Sequence, residues 1–240
     1  MITYSSINEK GKRPYQEDSV GIYFHEEMGV FAVADGLGGH GKGEIASGET
    51  VRFVLEHYRN DCEPGEYFQT AFLKGNQNLV ELQDLMDMPR GVKTTLTICL
   101  IQDKIYGAYI GDTRLYLFED GKMAFRSTDH SVPQMLALGG EIKESEIRKH
   151  PDRNKLLRVL GDRKREIKYD TTEVWEKKKG VSLLLCTDGF WEYVKEKDME
   201  KTLAHSRSPQ EWLNKMKRMV LRRGFLDKQD NFSAIGIWIR

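Results

Sequence analysis

Several runs in this chain are apolar at consecutive positions, where a half-exposed strand would alternate. Phe31-Ala32-Val33-Ala34 and Leu183-Leu184-Leu185-Cys186 have no polar member. In Leu96 to Ile101, Leu96, Ile98 and Leu100 interleave with Thr97, Cys99 and Ile101. Side chains of a strand point alternately to its two faces, so such a run has no face to offer water and needs a covering layer on each side. The first run leads into Asp35-Gly36 and the second, through Thr187, into Asp188-Gly189. Two further acids flank apolar strands: Asp112 follows Tyr106 to Gly111, and Asp230 precedes Phe232 to Ile239. Carboxylates at the rim of a core are costly unless a cation collects them. No Arg or Lys adjoins Asp35 or Asp188 in sequence, which favours a bound metal.

Asp-Gly is also the commonest tight-turn signal, so plain turns remain an alternative at both positions. Asp120-Gly121 lies between Leu115-Tyr116-Leu117-Phe118 and Met123-Ala124-Phe125 and reads as an ordinary hairpin turn. Asp35-Gly36 and Asp188-Gly189 differ, because loop or helix rather than a returning strand follows each.

With 240 residues the chain can bury a substantial core. Lys plus Arg and Asp plus Glu each number 37, which argues against general nucleic-acid or membrane-surface binding. Met1 to Arg13 holds no apolar run suited to a signal peptide, and no segment reaches the length of a membrane span. Cys62, Cys99 and Cys186 form no Cys-x-x-Cys pair, and two of them lie in apolar strands, as expected for reduced thiols in a cytoplasmic protein. The six histidines lack zinc-ligand spacing, so oxygen ligands for a hard ion, magnesium or manganese, are expected.

Strands are predicted near 2–8, 18–25 and 29–35. Two helical patterns follow, one with Val51, Val54, Leu55 and Tyr58 on a face, the other with Phe68, Phe72, Leu79, Leu82 and Met86. Strands near 94–101, 104–110, 114–119 and 122–128 are joined too tightly for crossover helices and should pair antiparallel. A charged stretch from 132 to 165 opens with a short helix at Val132 to Leu138, and strands return near 166–175 and 181–187. A late helix should start in a capping box, with Ser208 at N-cap, Pro209 at N1 and Glu211 at N3, and stop before Gly224. Its apolar face is Trp212, Met216, Met219 and Val220, and a strand at 232–239 follows. No linker or repeat divides the chain, so one domain over 1–240 is expected.

Gly36-Leu37-Gly38-Gly39-His40-Gly41-Lys42-Gly43 fits both G-x-G-x-x-G and most of a P-loop. The P-loop lacks its Ser or Thr at Gly43, and the dinucleotide motif lacks its βαβ unit, since a second helix follows the first. A flexible turn without ligand is the further alternative.

Taken in order, Arg13-Pro14-Tyr15-Gln16-Glu17-Asp18-Ser19, Val33-Ala34-Asp35-Gly36-Leu37-Gly38-Gly39-His40, Lys93-Thr94-Thr95-Leu96, Gly111-Asp112-Thr113-Arg114, Thr128-Asp129-His130-Ser131, Leu160-Gly161-Asp162, Cys186-Thr187-Asp188-Gly189 and Gln229-Asp230-Asn231-Phe232-Ser233 form a series. That series resembles the bacterial branch of the metal-dependent protein serine/threonine phosphatases, the PPM or type 2C family, from about residue 3 onward. The resemblance implies an α+β fold, a β-sandwich of two antiparallel sheets flanked by helical layers, with a two-metal centre of Mn2+ or Mg2+ at one edge and a third, weaker ion. It implies that Asp35 bridges both ions, that the Gly36 carbonyl holds one, and that Asp188 and Asp230 hold the other. Glu17 and Asp18 would act through water, and Asp112 would serve the third ion together with Asp188. Arg13 corresponds to the family's phosphate-binding arginine.

Where animal members carry a histidine directly after Asp-Gly, this chain has Leu37; His40, three positions on, matches bacterial relatives and is assigned a substrate-side role. Gln16 stands where asparagine is more usual. Residues 139–165 correspond to the family's flap, with nine Lys or Arg against five Asp or Glu between 141 and 165. The implied activity is hydrolysis of phosphoserine and phosphothreonine in proteins by a monomer opposing a bacterial kinase. A catalytically silent phosphatase-like binding module and a hydrolase of small phosphoesters on the same fold are the alternatives.

Overall fold

The computed structural model describes residues 1–38, 42–163, 166–226 and 229–240. Its strands form two antiparallel sheets. The first contains β1 (Ile2–Glu9), β6 (Arg114–Glu119), β7 (Lys122–Arg126), β10 (Val181–Cys186) and β11 (Phe232–Ile239), in the order β1-β11-β10-β6-β7. The second runs β2 (Asp18–His25), β3 (Met28–Asp35), β4 (Leu96–Ile101), β5 (Lys104–Ile110), β8 (Asp170–Thr171), with β9 (Trp175–Glu176) also on β5.

Why β4, β10 and β11 are buried at every position follows from three stacked cores. Phe31, Val33, Cys99, Leu115, Leu117, Leu183, Leu185, Ile235 and Ile237 fill the space between the sheets. The alternate residues of the same strands face helices. Val30, Ala32, Ala34, Ile98 and Leu100 meet α1 (Gly43–His57) and the run formed by α2 (Pro64–Gln69), a π-helical turn at Thr70–Lys74 and α3 (Gly75–Leu85). On the other sheet Tyr116, Phe118, Leu184, Cys186 and Ala234 meet α5 (Asp188–Trp191), α6 (Glu196–Ala204) and α7 (Pro209–Arg223). The architecture is thus the expected α-β-β-α sandwich. Along the chain, α4 (Val132–Leu138) and a 3-10 turn at Glu144–Lys149 lie between β7 and β8.

Two local expectations change. The strand expected at 166–175 is reduced to the two-residue pairings of β8 and β9. Tyr169 turns away to stack on Phe72, with ring centroids 4.3 Å apart, and Thr172 Oγ1 takes the Gly107 N–H at 3.1 Å in place of a backbone carbonyl. At α7, Ser208 Oγ accepts the Glu211 N–H at 3.1 Å as foreseen, but Glu211 Oε2 takes the Arg207 N–H at 2.8 Å rather than that of Ser208. The control hairpin holds: Glu119 pairs with Lys122 across Asp120 and Gly121, both at positive φ, 47° and 79°. β3 pairs antiparallel with β4 across the three helical segments, so no βαβ unit exists to support a dinucleotide reading of the glycine-rich loop.

Candidate active site

Antiparallel pairing brings distant segments to one end of the sandwich. Asp18 opens β2 and Asp35 ends β3, and the two are direct cross-strand partners. Asp112 lies in the β5–β6 turn, Asp188 just past β10 and Asp230 just before β11. Arg13, Glu17, Asp35, Gly36, Asp112, Asp188 and Asp230 line one cavity of about 380 Å³, together with Leu37, Gly38, Asn154, Leu156 and Asn231. Asp18 lies buried behind that wall. Of the candidate site residues, His40 falls outside the described residues, as do Gly39 and Gly41 of the glycine-rich loop and Lys164 and Arg165 of the 139–165 segment.

The supports beneath the acids are hydroxyls and amides. Thr94 Oγ1 donates to the Asp35 carbonyl at 2.8 Å, and Thr95 Oγ1 accepts the Asp35 N–H at 2.9 Å. Thr187 Oγ1 donates to Asp18 Oδ2 at 2.8 Å while accepting the Ser233 N–H at 3.0 Å, which ties β2 to the ends of β10 and β11. Asn231 fixes the loop that carries Arg13: its Nδ2 donates to the Lys10 and Tyr15 carbonyls at 2.7 and 2.9 Å, and its Oδ1 accepts the Glu17 N–H at 2.8 Å. Gly38 leaves room for the Glu17 carboxylate, which a Cβ there would overlap.

Trp191, on the same helical turn as Asp188, donates its indole N–H to the Asp112 carbonyl at 2.9 Å. The Arg114 guanidinium lies 3.5 Å over that indole ring and is paired twice with buried Asp129, at 2.8 and 2.6 Å. Thr187, Asn231 and Trp191 were not singled out from sequence as site residues; the first two stand inside quoted motifs, which was the available signal. Arg153 and Glu192, an ion pair beside the cavity mouth, carried none.

Crowding of like charge shows in the acidities. Burial, then its acidic neighbours Asp18, Asp188 and Asp112, holds the Asp35 carboxyl well above the usual range. Burial lifts Asp18 to about 8 and, with Asp230 adding to it, Asp188 to about 6. Asp112 is also pushed well up by burial and by Asp188. Arg13 Nη2 contacts Asp230 Oδ2 at 2.5 Å, a bond that raises the guanidinium further.

The donor set fits a hard divalent cation. Asp18 Oδ1 is a buried oxygen without a hydrogen-bond partner, and carboxylates that raise one another's pKa are relieved by positive charge. Among the described residues no three acid, histidine or cysteine side chains close on a single point; the acids are spread around the cavity wall.

A constellation of acids and an arginine at the edge of an α-β-β-α sandwich is that of a phosphatase class, and comparison with known proteins agrees. The protein phosphatase 2C family model matches residues 10–225. The serine/threonine phosphatase stp of Listeria innocua is 31% identical over 205 residues, covering 82% of this chain and 80% of that protein. Staphylococcus aureus Stp1 superposes with a TM-score of 0.90 at 24% identity, over 100% of this chain and 96% of that one. The catalytic domain of the serine/threonine phosphatase PstP, solved with two manganese ions, superposes with a TM-score of 0.81 at 26% identity, over 99% and 97%. The chain belongs to the protein phosphatase 2C family and is a protein serine/threonine phosphatase.

Proposed function

We propose that this enzyme cleaves phosphoserine and phosphothreonine esters with the help of two divalent cations, manganese or magnesium, gathered by Asp35, the Gly36 carbonyl, Asp188 and Asp230. Glu17 and Asp18 would help to hold them, and Asp112 with Asp188 would hold a third. Bound there, the cations acidify water and offset charge on the phosphoryl oxygens. The protein's own groups do the rest. Arg13 leaves Asp230 to grip two phosphoryl oxygens through its planar fork. Thr94, Thr95 and Thr187 hold Asp35 and Asp18 in place. Water oxygen forms the new bond to phosphorus as the ester oxygen leaves in line and takes up a proton, so that phosphate and the free hydroxyl result. His40 works on the substrate side of that step.

The observation that carries this reading is the set of acids from five separated segments on one cavity, with Asp18 Oδ1 unpartnered behind them. Nothing favours the silent module, since every expected acid is present. We read the whole chain as one catalytic domain, with residues 139–165 as a flap that brings Asn154 and Leu156 to the cavity. We also read it as a monomer in the cytoplasm, opposing a serine/threonine kinase. Among the described residues no helix is long and apolar enough to cross a membrane, and all three cysteines are free.

Phosphate release from a phosphothreonine peptide and from an aryl phosphate tests the proposal. Turnover should vanish with chelator and return with Mn2+ or Mg2+, and Asp35→Asn or Asp188→Ala should nearly abolish it. Full activity after chelation, or in either variant, ends the metal assignment. Turnover of the aryl phosphate but of no phosphopeptide would favour the small-ester alternative.

A further inference from the structure

The formal charge of the chain is balanced, yet one surface that shares no lining residue with the carboxylate cavity is strongly cationic. Between α6 and α7 lies a groove of about 650 Å³, lined by Lys201 and His205 of the first helix region and by Lys215, Arg218, Arg222 and Arg223 of the second. Among the described residues Asp198 is the one acid in its wall. Two of these cations have structural duties. Arg223 binds Asp198 at 2.6 Å and the Tyr193 carbonyl at 2.6 Å, and Lys215 binds Glu211 at 2.8 Å and the His205 carbonyl.

Lys201, Arg218 and Arg222 do not share in this. Among the described residues they pair with no carboxylate, and Arg218 and Arg222 are exposed one helical turn apart. Like charges at that spacing destabilise a helix. Their presence on one wall, facing Lys201 on the other, has no counterpart in the fold's own hydrogen bonding.

We infer that this α6–α7 groove docks an Asp/Glu-rich segment of a partner protein. Several carboxylates spaced along a peptide match cations distributed along two helices, and Met219 with Thr202 gives the floor a contact for the stem of a side chain. A concave seat suits an inserted ridge of peptide better than a bilayer surface. Among the described residues His205 is the one ring in its lining, with no Phe, Tyr or Trp to stack on a base or anchor in a lipid interface. The inference does not depend on the metal assignment, because it concerns a different surface and is read by binding.

The experiment uses the full chain and a fluorescein-labelled peptide of about twelve residues, rich in Glu and Asp, followed by anisotropy. Saturable, salt-sensitive binding is expected, weakened about tenfold or more by Arg218→Ala/Arg222→Ala and by Lys201→Ala/Arg218→Ala. Aryl phosphate turnover should be unchanged in both, and the melting temperature of the first should hold or rise, because a like-charge pair is removed. Equal affinity in the variants overturns the inference, as does the absence of saturable binding. So does a melting temperature that falls along with affinity in both variants. Binding of phosphatidylglycerol vesicles through the same arginines, with none of the peptide, would replace it by a membrane surface.

Discussion

Thr187 Oγ1 holds one oxygen of Asp18 at 2.8 Å and leaves the other, fully buried, without a partner. A half-satisfied carboxylate in that position destabilises the fold and is useful only if a cation or its water completes it. Asp18→Asn should therefore raise the stability of chelated protein by about 1 kcal/mol while lowering Mn2+-dependent turnover about 10–100-fold. Denaturant melts with and without Mn2+, alongside initial rates, check both halves. A less stable chelated variant would contradict the argument.

The same carboxyl sets a pH dependence. Its folded pKa, raised to about 8 from an ordinary value of 3.8, means that the folded state holds the proton more tightly than the unfolded chain. That contribution is complete below the unfolded pKa and is lost as pH rises through about 8. Chelated protein should accordingly melt lower at pH 8 than at pH 6, with a shallower slope in Asp18→Asn. Saturating Mn2+ should flatten the dependence.

His130 acts in the opposite sense. Its Nδ1 accepts the Gly111 N–H at 3.1 Å, so the neutral ring carries its proton on Nε2 and donates to Asp170 at 3.2 Å. Burial, with the Arg158 guanidinium 3.3 Å from Nε2, lowers its pKa in spite of Asp170 and Asp129. Stability from this group is full above the unfolded value of about 6.5 and declines as pH falls through the lowered folded value. Melting temperature between pH 7 and pH 5 should drop more for wild type than for His130→Gln. Equal slopes would show that the ring carries no such linkage.

Legibility in the sequence followed the strength of the local signal. Phe31 to Ala34 and Leu183 to Cys186 announced buried strands because both their faces meet apolar layers. Asp35 and Asp188 were readable because each ends such a strand. α6 was missed, since only Met199 and Leu203 of its apolar residues are buried, too few for a periodic stripe. The 166–175 segment misled through Ile167 and Tyr169, which pack on the helical side and not in a sheet. Thr187 binds Asp18, 169 positions away, and Asn231 binds residues 214 or more positions away, and no spacing rule reports such pairings.

Behind the cavity, Arg114 and Asp129 form a pair whose side chains are each 1% exposed. Removing one partner strands a charge where water cannot reach it, which costs about 3–5 kcal/mol. Asp129→Ala should lose roughly that amount in denaturant melts. Arg114→Met/Asp129→Leu should lose much less, because no charge is left unpaired. A double variant as unstable as the single one would assign the cost to packing around Trp191.

Arg13 reaches the cavity from an exposed loop and is bonded there to Asp230 at 2.5 Å. Its two candidate duties make different predictions. If it grips phosphate, Arg13→Ala should raise KM for a phosphopeptide about tenfold or more, the worth of a charge-assisted hydrogen bond. Mn2+ affinity by calorimetry should then hold or strengthen, because Asp230 loses a competitor for its oxygen. If Arg13 only orders Asp230, Mn2+ affinity should fall and KM should stay where it was. Arg13→Lys separates charge from shape: a point charge restores part of the KM but not the two-pronged grip. An unchanged KM in Arg13→Ala would remove this residue from substrate binding.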